Sequence, residues 1–444
     1  MKIALIEVKP KSHDYIAKEM AGGLGKRIRL GKNFLGFFLG RGLASFFSAP
    51  PIILAQLAGV ARQCQQETKA YHTFSVDDID RETDLAVVLS SMVDYRNEVN
   101  FIKALRGRFA RLPVIVVGSF ASAMPEIYRD VAHGVIKGEP EAAFEKILKG
   151  DVPAEGVIHI ENSEDLNLLP MVDWEPFIRN GYYAKRPFSK ELGVSIQKSR
   201  GCSMTCDYCP YAAFYGKTRH FDSEYVWKTI KYYYDRHHIR YFMFRDPNFG
   251  ENRREFRAFM DTLLKGGLGI SWSCEARLDT FQDEDLVLMR DAGLRYIIVG
   301  VESGDADLLK ENSRRTGKRE EVFRKVNILE KAGVTVQANY ILGFPRESEQ
   351  SVRETVAYAQ QLNSMFATFH IFTPQPGTRI FEDYRSKFLD GDWEDFSYSN
   401  LVWRHDTLSK AFLEEITSKA SRQYYVRPQW AMKHFGRLIR ILSK

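Results

Sequence analysis

Cysteine is scarce in this chain, and most of what there is lies in one place. Only five occur in 444 residues: Cys64, Cys202, Cys206, Cys209 and Cys274. An odd, sparse count excludes a disulfide framework and fits a reducing compartment. Long apolar runs are missing as well. The most apolar stretch, 33–61, is broken by Arg41 and Pro50-Pro51, so no uncharged run reaches the ~18 residues of a membrane span. The apolar start 3–6 is too short for a signal core, so a cytoplasmic location is expected. A one-sided charge is lacking too. Against 63 basic side chains stand 57 acidic ones, a net +6, whereas nucleic-acid binders concentrate positive charge far more. No nucleic-acid partner is expected. There is no internal repeat and no low-complexity tract.

What is present is alternation. Over 1–150, short apolar runs at 3–8, 85–89, 114–117 and 135–136 are separated by helical patterns at 52–63, 99–109 and 141–148. This predicts an α/β layer with a parallel sheet, doubly wound and Rossmann-like. Ligands of such sheets sit beyond the carboxyl ends of the strands, where Ser90, Ser91, Gly118, Ser119, Gly138 and Glu139 fall. Residues 151–189 lack periodicity and read as a linker. Residues 190–384 alternate again, with strands at 194–197, 241–245, 270–274, 296–301, 335–341 and 369–372 and five intervening helices. Six strand–helix steps predict a partial (β/α)6 barrel with its site at the strands' carboxyl ends. Residues 385–444 read as a helical segment. In the last stretch Trp430, His434, Leu438, Ile441 and Leu442 lie near helical spacing. Packing of this helix on the barrel is the expected role, and a basic amphipathic helix on a membrane surface the lesser one.

The segment 199–210 carries the chemistry. Cys202, Cys206 and Cys209 are spaced Cys-x3-Cys-x2-Cys on a loop after the first barrel strand. Three thiolates on a short loop suit three irons of a cubane cluster. The usual fourth thiolate is missing, which leaves one iron open to an outside ligand. Structural zinc on the three cysteines and His220 is a competing reading, because Cys3His sites exist. Unligated thiols are another.

This loop and the barrel pattern resemble the radical S-adenosylmethionine (SAM) superfamily. In that family SAM chelates the open iron of a [4Fe–4S] cluster. One-electron cleavage then gives a 5′-deoxyadenosyl radical that takes a hydrogen atom from substrate. The resemblance makes Tyr208, just before the third cysteine, a neighbour of the adenine. It makes Asp246, Arg277, Glu302, Ser303 and Gly343, all at strand ends, contacts to SAM. Bottom-up, Glu302 could instead pair with a barrel arginine, and Arg277 with Asp279. Cys64 and Cys274 alone cannot hold a second four-cysteine cluster.

An α/β domain ahead of such a barrel resembles the cobalamin-binding subfamily. The Pro-rich helix entry Ala49-Pro50-Pro51 and the turn Gly138-Glu139-Pro140-Glu141 carry that likeness. The subfamily's Asp-x-His-x-x-Gly motif is absent, and His13 lacks its neighbours. The resemblance implies cobalamin near Ser90, Ser91, Gly118, Ser119, Gly138 and Glu139. It also implies methyl transfer to an unactivated carbon, with cyclisation, oxidation or rearrangement as the alternative. A non-catalytic metal-binding or redox-sensing protein is the reading from another class. The expected partners are an electron donor such as flavodoxin or ferredoxin and a small-molecule substrate. The aromatics and the apolar 33–61 stretch point to an apolar or lipid-like substrate or a natural-product intermediate.

Overall fold

A computed structural model describes residues 1–10, 15–28, 49–185, 189, 191–315 and 317–442. His13 and most of the apolar stretch 33–61 therefore lie outside or only partly inside the described residues.

The first sheet contains β1 (Lys2–Val8), β4 (Glu67–Thr73), β5 (Leu85–Leu89), β6 (Val114–Val117), β7 (Gly134–Lys137) and β8 (Gly156–His159). Its order is β4-β1-β5-β6-β7-β8 and every pairing is parallel. The strand order reverses between β1 and β5, the switch point at which doubly wound sheets bind ligands. β5 and β6 are buried at every residue, as strands covered on both faces must be. Between β1 and β4 lies a short hairpin, β2 (Tyr15–Ala17) and β3 (Lys26–Ile28).

Two strands of this sheet escaped the sequence reading, as did the short strands β2, β3, β9 (Ala184–Lys185), β11 (Ser199–Arg200) and β12 (Arg219–His220). β4 carries Lys69 and His72 among its apolar residues, so neither a pure run nor a clean alternation marks it. β8 falls inside the expected linker. It is short, three of its four residues are exposed, and it gains order by pairing with β7 at the sheet edge.

The second sheet follows chain order. β9 (Ala184–Lys185) lies antiparallel on the edge of β10 (Leu192–Ile196). Then come β13 (Tyr241–Phe244), β14 (Ser271–Ala276), β15 (Leu294–Glu302), β16 (Thr335–Leu342) and β17 (Phe366–Ile371), all parallel. β17 and β9 do not pair, so the six-step barrel is open, as the strand count predicts. A small ribbon, β11 (Ser199–Arg200) with β12 (Arg219–His220), brackets the cysteine loop.

The expected helical C-terminal segment is only partly so. Helices span Lys410–Gln423 and Pro428–Leu442, but 388–409 runs mostly without regular structure. Its order comes from aromatic anchoring instead. Trp403 is buried against Phe372 and Tyr384, and Trp393 stacks near Phe120 and Phe381. The same stretch ties the two layers together. Glu394 pairs with Arg27 at 2.7 Å, and Asp392 accepts from the Tyr95 hydroxyl at 2.7 Å. The last helix docks through Trp430, whose indole donates to Met365 O at 3.0 Å. His434 meets Asn363 O at 2.8 Å. Among the described residues no helix is long and apolar enough to cross a membrane.

Candidate functional site

The cysteine loop begins at a forced turn. Gly201 has φ +77°, and a Cβ there would lie 2.3 Å from Lys217 O. Only glycine fits this crossing. Cys202 then donates its amide to Gly216 O at 3.0 Å, and Cys209 to Cys206 O at 3.2 Å. Cys209 caps the helix Pro210–Tyr215, with proline at its first turn. The three thiols are partly buried; the charge of Cys206 acts on Cys202, and both act on Cys209. Burial pushes Cys202 up and Cys209 to about 12, so thiolates here need cationic ligands to hold them. Among the described residues no three Cys, His, Asp or Glu side chains converge on a single metal ion. A mononuclear Cys3His220 site is therefore not assembled.

Buried acids set the loop's approach. Asp246 is 2% exposed. Its carboxylate accepts the Lys198 amide at 3.2 and 3.1 Å and the Ser199 hydroxyl at 2.6 Å. Burial raises it to about 6, against those hydrogen bonds. Through the Lys198 amide and the Ser199 hydroxyl it fixes the backbone that launches the loop. Arg200, the residue before Gly201, is clamped from the first sheet. It reaches Glu139 at 3.0 Å and Glu141 at 2.7 Å, with all three side chains 3–4% exposed. Arg219 joins Glu139 from β12 and also donates to Ser163 O at 2.6 Å. The Gly-Glu-x-Glu turn thus braces the cysteine loop and also lines the cleft between the two sheets. A buried carboxylate takes the nearest guanidinium rather than stay unpaired.

The remaining barrel residues gather on the same rim. Tyr208 packs edge-on to Phe344 and Phe372, with ring centroids 5.4 and 6.0 Å away. Its buried hydroxyl has no partner. Glu302 is raised by burial and pairs with Arg314 at 3.4 Å. Arg314 also donates to Gly300 O at 2.7 Å and touches the Cys206 thiol. Arg277 pairs with Asp279 and donates to Arg315 O at 2.7 Å, yet its buried Nη1 is unpartnered. Both alternatives weighed for Glu302 and Arg277 are thus realised. Ser303 is engaged by Thr355 at 3.0 Å and the Asp305 amide at 3.1 Å. Gly343, at φ +83°, leaves room for Leu413, which would lie 2.8 Å from its Cβ. The close approach is made by a C-terminal helix.

On the first sheet, Ser90 accepts the Ala121 amide at 3.0 Å, and Ser91 donates to Glu98 at 2.7 Å. Ser119 donates to Gly22 O at 2.5 Å, and Gly138 gives its amide to Ser122 at 3.0 Å. These hydroxyls satisfy their own layer. Gly118, at φ +118°, lies against Ser90. Between the rims opens a cleft with about 670 Å³ of free space including its mouth. Lys18, Gly22, Gly118, Ser119, Arg200 and Tyr215 are among its lining residues.

Sequence reasoning missed Arg200, Arg219 and Arg314, and met Glu141 only as part of the Gly-Glu-x-Glu turn. The one signal available was position: Arg200 directly precedes the loop. Pairing between sheets far apart in sequence leaves no local pattern.

A cysteine-triad loop on the carboxyl rim of an open parallel barrel defines the class: a barrel enzyme built to carry a metal cluster. Residues 196–359 match the profile described as the Radical SAM superfamily. The chain is similar to an uncharacterized methyltransferase of Pyrococcus horikoshii, 24% identical over 88% of this chain and 92% of the relative. It also resembles the anaerobic magnesium-protoporphyrin IX monomethyl ester cyclase of Rubrivivax gelatinosus, 25% identical over 67% of this chain and 52% of the cyclase. A bacteriochlorophyllide d C-12(1)-methyltransferase of Chlorobaculum tepidum is 25% identical over 66% of this chain and 64% of that enzyme. The radical SAM methyltransferase TsrM of Kitasatospora setae shares the fold, with TM-score 0.66, 14% identity and coverage of 96% and 90%. So does the cobalamin-dependent radical enzyme OxsB, with TM-score 0.69, 12% identity and coverage of 96% and 66%.

Proposed function

We propose that this chain is a cobalamin-dependent radical SAM methyltransferase acting on an unactivated carbon of a small-molecule substrate. The single observation that carries the reading is the confrontation of two carboxyl rims. The cysteine loop stands on one, the small-residue floor Gly118-Ser119 on the other, and Glu139 and Glu141 lock them together.

Cys202, Cys206 and Cys209 would hold a [4Fe–4S] cluster, and the donor set leaves one iron for SAM. The fit rests on two orphaned buried groups on that rim, the Tyr208 hydroxyl and Arg277 Nη1. Arg277 offers a charged N–H to the SAM carboxylate, and Tyr208 a ring and hydroxyl to the adenosine. The cleft, lined by glycine and serine on the first-sheet side, suits the close approach of a broad corrinoid ring. When bound, the reduced cluster with SAM supplies hydrogen-atom abstraction, and the corrinoid supplies a methyl group. The protein's own part is positioning. Asp246 and Arg200 fix the loop, Arg314 bridges Glu302 and Cys206, and Trp403 of the 388–409 stretch packs behind Phe372. The residue spans 1–150, 190–384 and 385–444 serve as corrinoid layer, barrel and closing segment. A flavodoxin- or ferredoxin-type donor would supply electrons.

The test is an oxygen-free preparation reconstituted with iron, sulfide and hydroxocobalamin. The expected result is bound corrinoid after desalting, with 5′-deoxyadenosine and S-adenosylhomocysteine both formed from SAM. Corrinoid-free protein that forms 5′-deoxyadenosine alone would favour cyclisation, oxidation or rearrangement, a reading supported by the cyclase relative. Iron-poor protein that leaves SAM intact would overturn both.

A further inference from the structure

A pair of bases lies inside the barrel mouth, apart from the cysteine-side contacts. Lys26, on β3 of the first layer, reaches across to His370, the penultimate residue of β17. The distance from Nζ to Nε2 is 2.9 Å. Among the described residues, the imidazole is the ammonium's one hydrogen-bond partner. Residues 29–48, which follow it, contain no Asp or Glu. Among the described residues the acid whose charge acts on it is Glu275 near the end of β14, which already faces Arg245 at 3.6 Å.

This group belongs to the reaction side of the barrel. His370, Glu275 and Arg245 lie at the carboxyl ends of β17, β14 and β13. Tyr398 sits with its ring centroid 6.2 Å from His370 and senses Cys209 and Tyr211. Tyr211 in turn senses Glu275, Arg245 and Cys209. A chain of side chains thus links the Lys26–His370 pair to the cysteine loop. Lys26, His370, Glu275 and Arg245 all lie deep yet keep some accessible surface. A cation held in such a place by a neutral base is expensive for the fold and is a mark of a binding site.

We propose that Lys26, oriented by His370, is the anion subsite of the substrate chamber, and that the substrate carries a carboxylate that pairs with it. This rests on the radical SAM reading for the word substrate, but the anion site is testable without it. Burial lowers Lys26 to about 8 with only Glu275 acting against it, and burial with the Lys26 charge holds His370 far below its usual range. His370 is therefore the neutral acceptor and Lys26 the charged donor at neutral pH. An arriving carboxylate supplies the hydrogen-bonded anion that no described residue gives the ammonium.

The probe is hexanoate, with isosteric hexanamide as the neutral control, titrated by calorimetry into the anaerobic holoenzyme. The expected result is that hexanoate binds at least about tenfold more tightly than hexanamide, and that its affinity falls as pH rises through about 8. Lys26→Met removes the preference. Equal binding of acid and amide by the unaltered protein overturns the proposal, whether or not the variant folds. The titration is repeated with saturating SAM. Retained hexanoate binding supports a substrate subsite, whereas competitive loss assigns the cation to the SAM carboxylate and overturns it. SAM cleavage by the unaltered holoenzyme is measured separately, so loss of the radical reading and loss of the anion site give different outcomes.

Discussion

Replacing Arg200 by methionine tests whether the two layers are locked by charge. The guanidinium sits between Glu139 at 3.0 Å and Glu141 at 2.7 Å, and all three side chains are 3–4% exposed. In Arg200→Met the thioether keeps the stem volume. Glu139 retains Arg219. Glu141 loses its cation, and its second oxygen already lacks a partner. Removing one member of a buried pair costs about 3–5 kcal/mol, because the survivor's desolvation is no longer offset. The double variant Arg200→Met/Glu141→Gln leaves no orphaned charge, and about half or more of that loss should return. Urea denaturation of the anaerobic protein reads the stability, and iron and sulfide content after reconstitution read the loop. The single variant should unfold earlier and bind less iron, with both partly restored in the double. A single variant as stable and iron-loaded as the parent would refute the lock. So would a double variant no better than the single.

Other outcomes follow from the same geometry. Gly201→Ala should lower iron content severalfold while leaving overall secondary structure by circular dichroism intact, since its methyl would strike Lys217 O. Any one of Cys202, Cys206 or Cys209 changed to alanine should abolish the visible absorption of the reconstituted protein. Arg277→Lys should weaken SAM binding roughly tenfold by equilibrium dialysis, because lysine offers no second N–H in the fixed fork. Lys26→Met should raise stability at pH 7. The folded pKa is depressed from 10.5 to about 8, so below about 8 the fold bears the full penalty of a buried charge, on the order of 3 kcal/mol. From about 8 to 10.5 the unfolded chain holds more protons, so the parent gains stability with rising pH. The variant's advantage in thermal melting should therefore shrink across that range; an unchanged difference between pH 7 and 10 would show that the ammonium is already paired.

The barrel was legible because its signals are local. Six apolar runs with helical patterns between them gave six parallel strands, and the spacing of Cys202, Cys206 and Cys209 marked the loop outright. β8 was hidden because an exposed edge strand of four residues needs only a partner, not a pattern. The protein partners of Glu139 and Asp246 were hidden for a related reason. A strand-end carboxylate looks the same in sequence whether it meets a ligand or a neighbour's amide. Which one it meets depends on Arg200, Arg219 and Ser199, brought close only by the fold. Lys26 and His370 lie 344 positions apart, beyond the reach of any periodicity.

The stretch around Trp393 and Trp403 sets an order on the protein's birth. Glu394 and Asp392 fasten back onto Arg27 and Tyr95, so the vessel has no far wall until translation has passed them. A nascent chain lacking that piece would present its thiols to open water and oxygen. Maturation by metal delivery is thereby deferred to the finished polypeptide, and stalled chains ending before Trp393 should emerge from cells without iron.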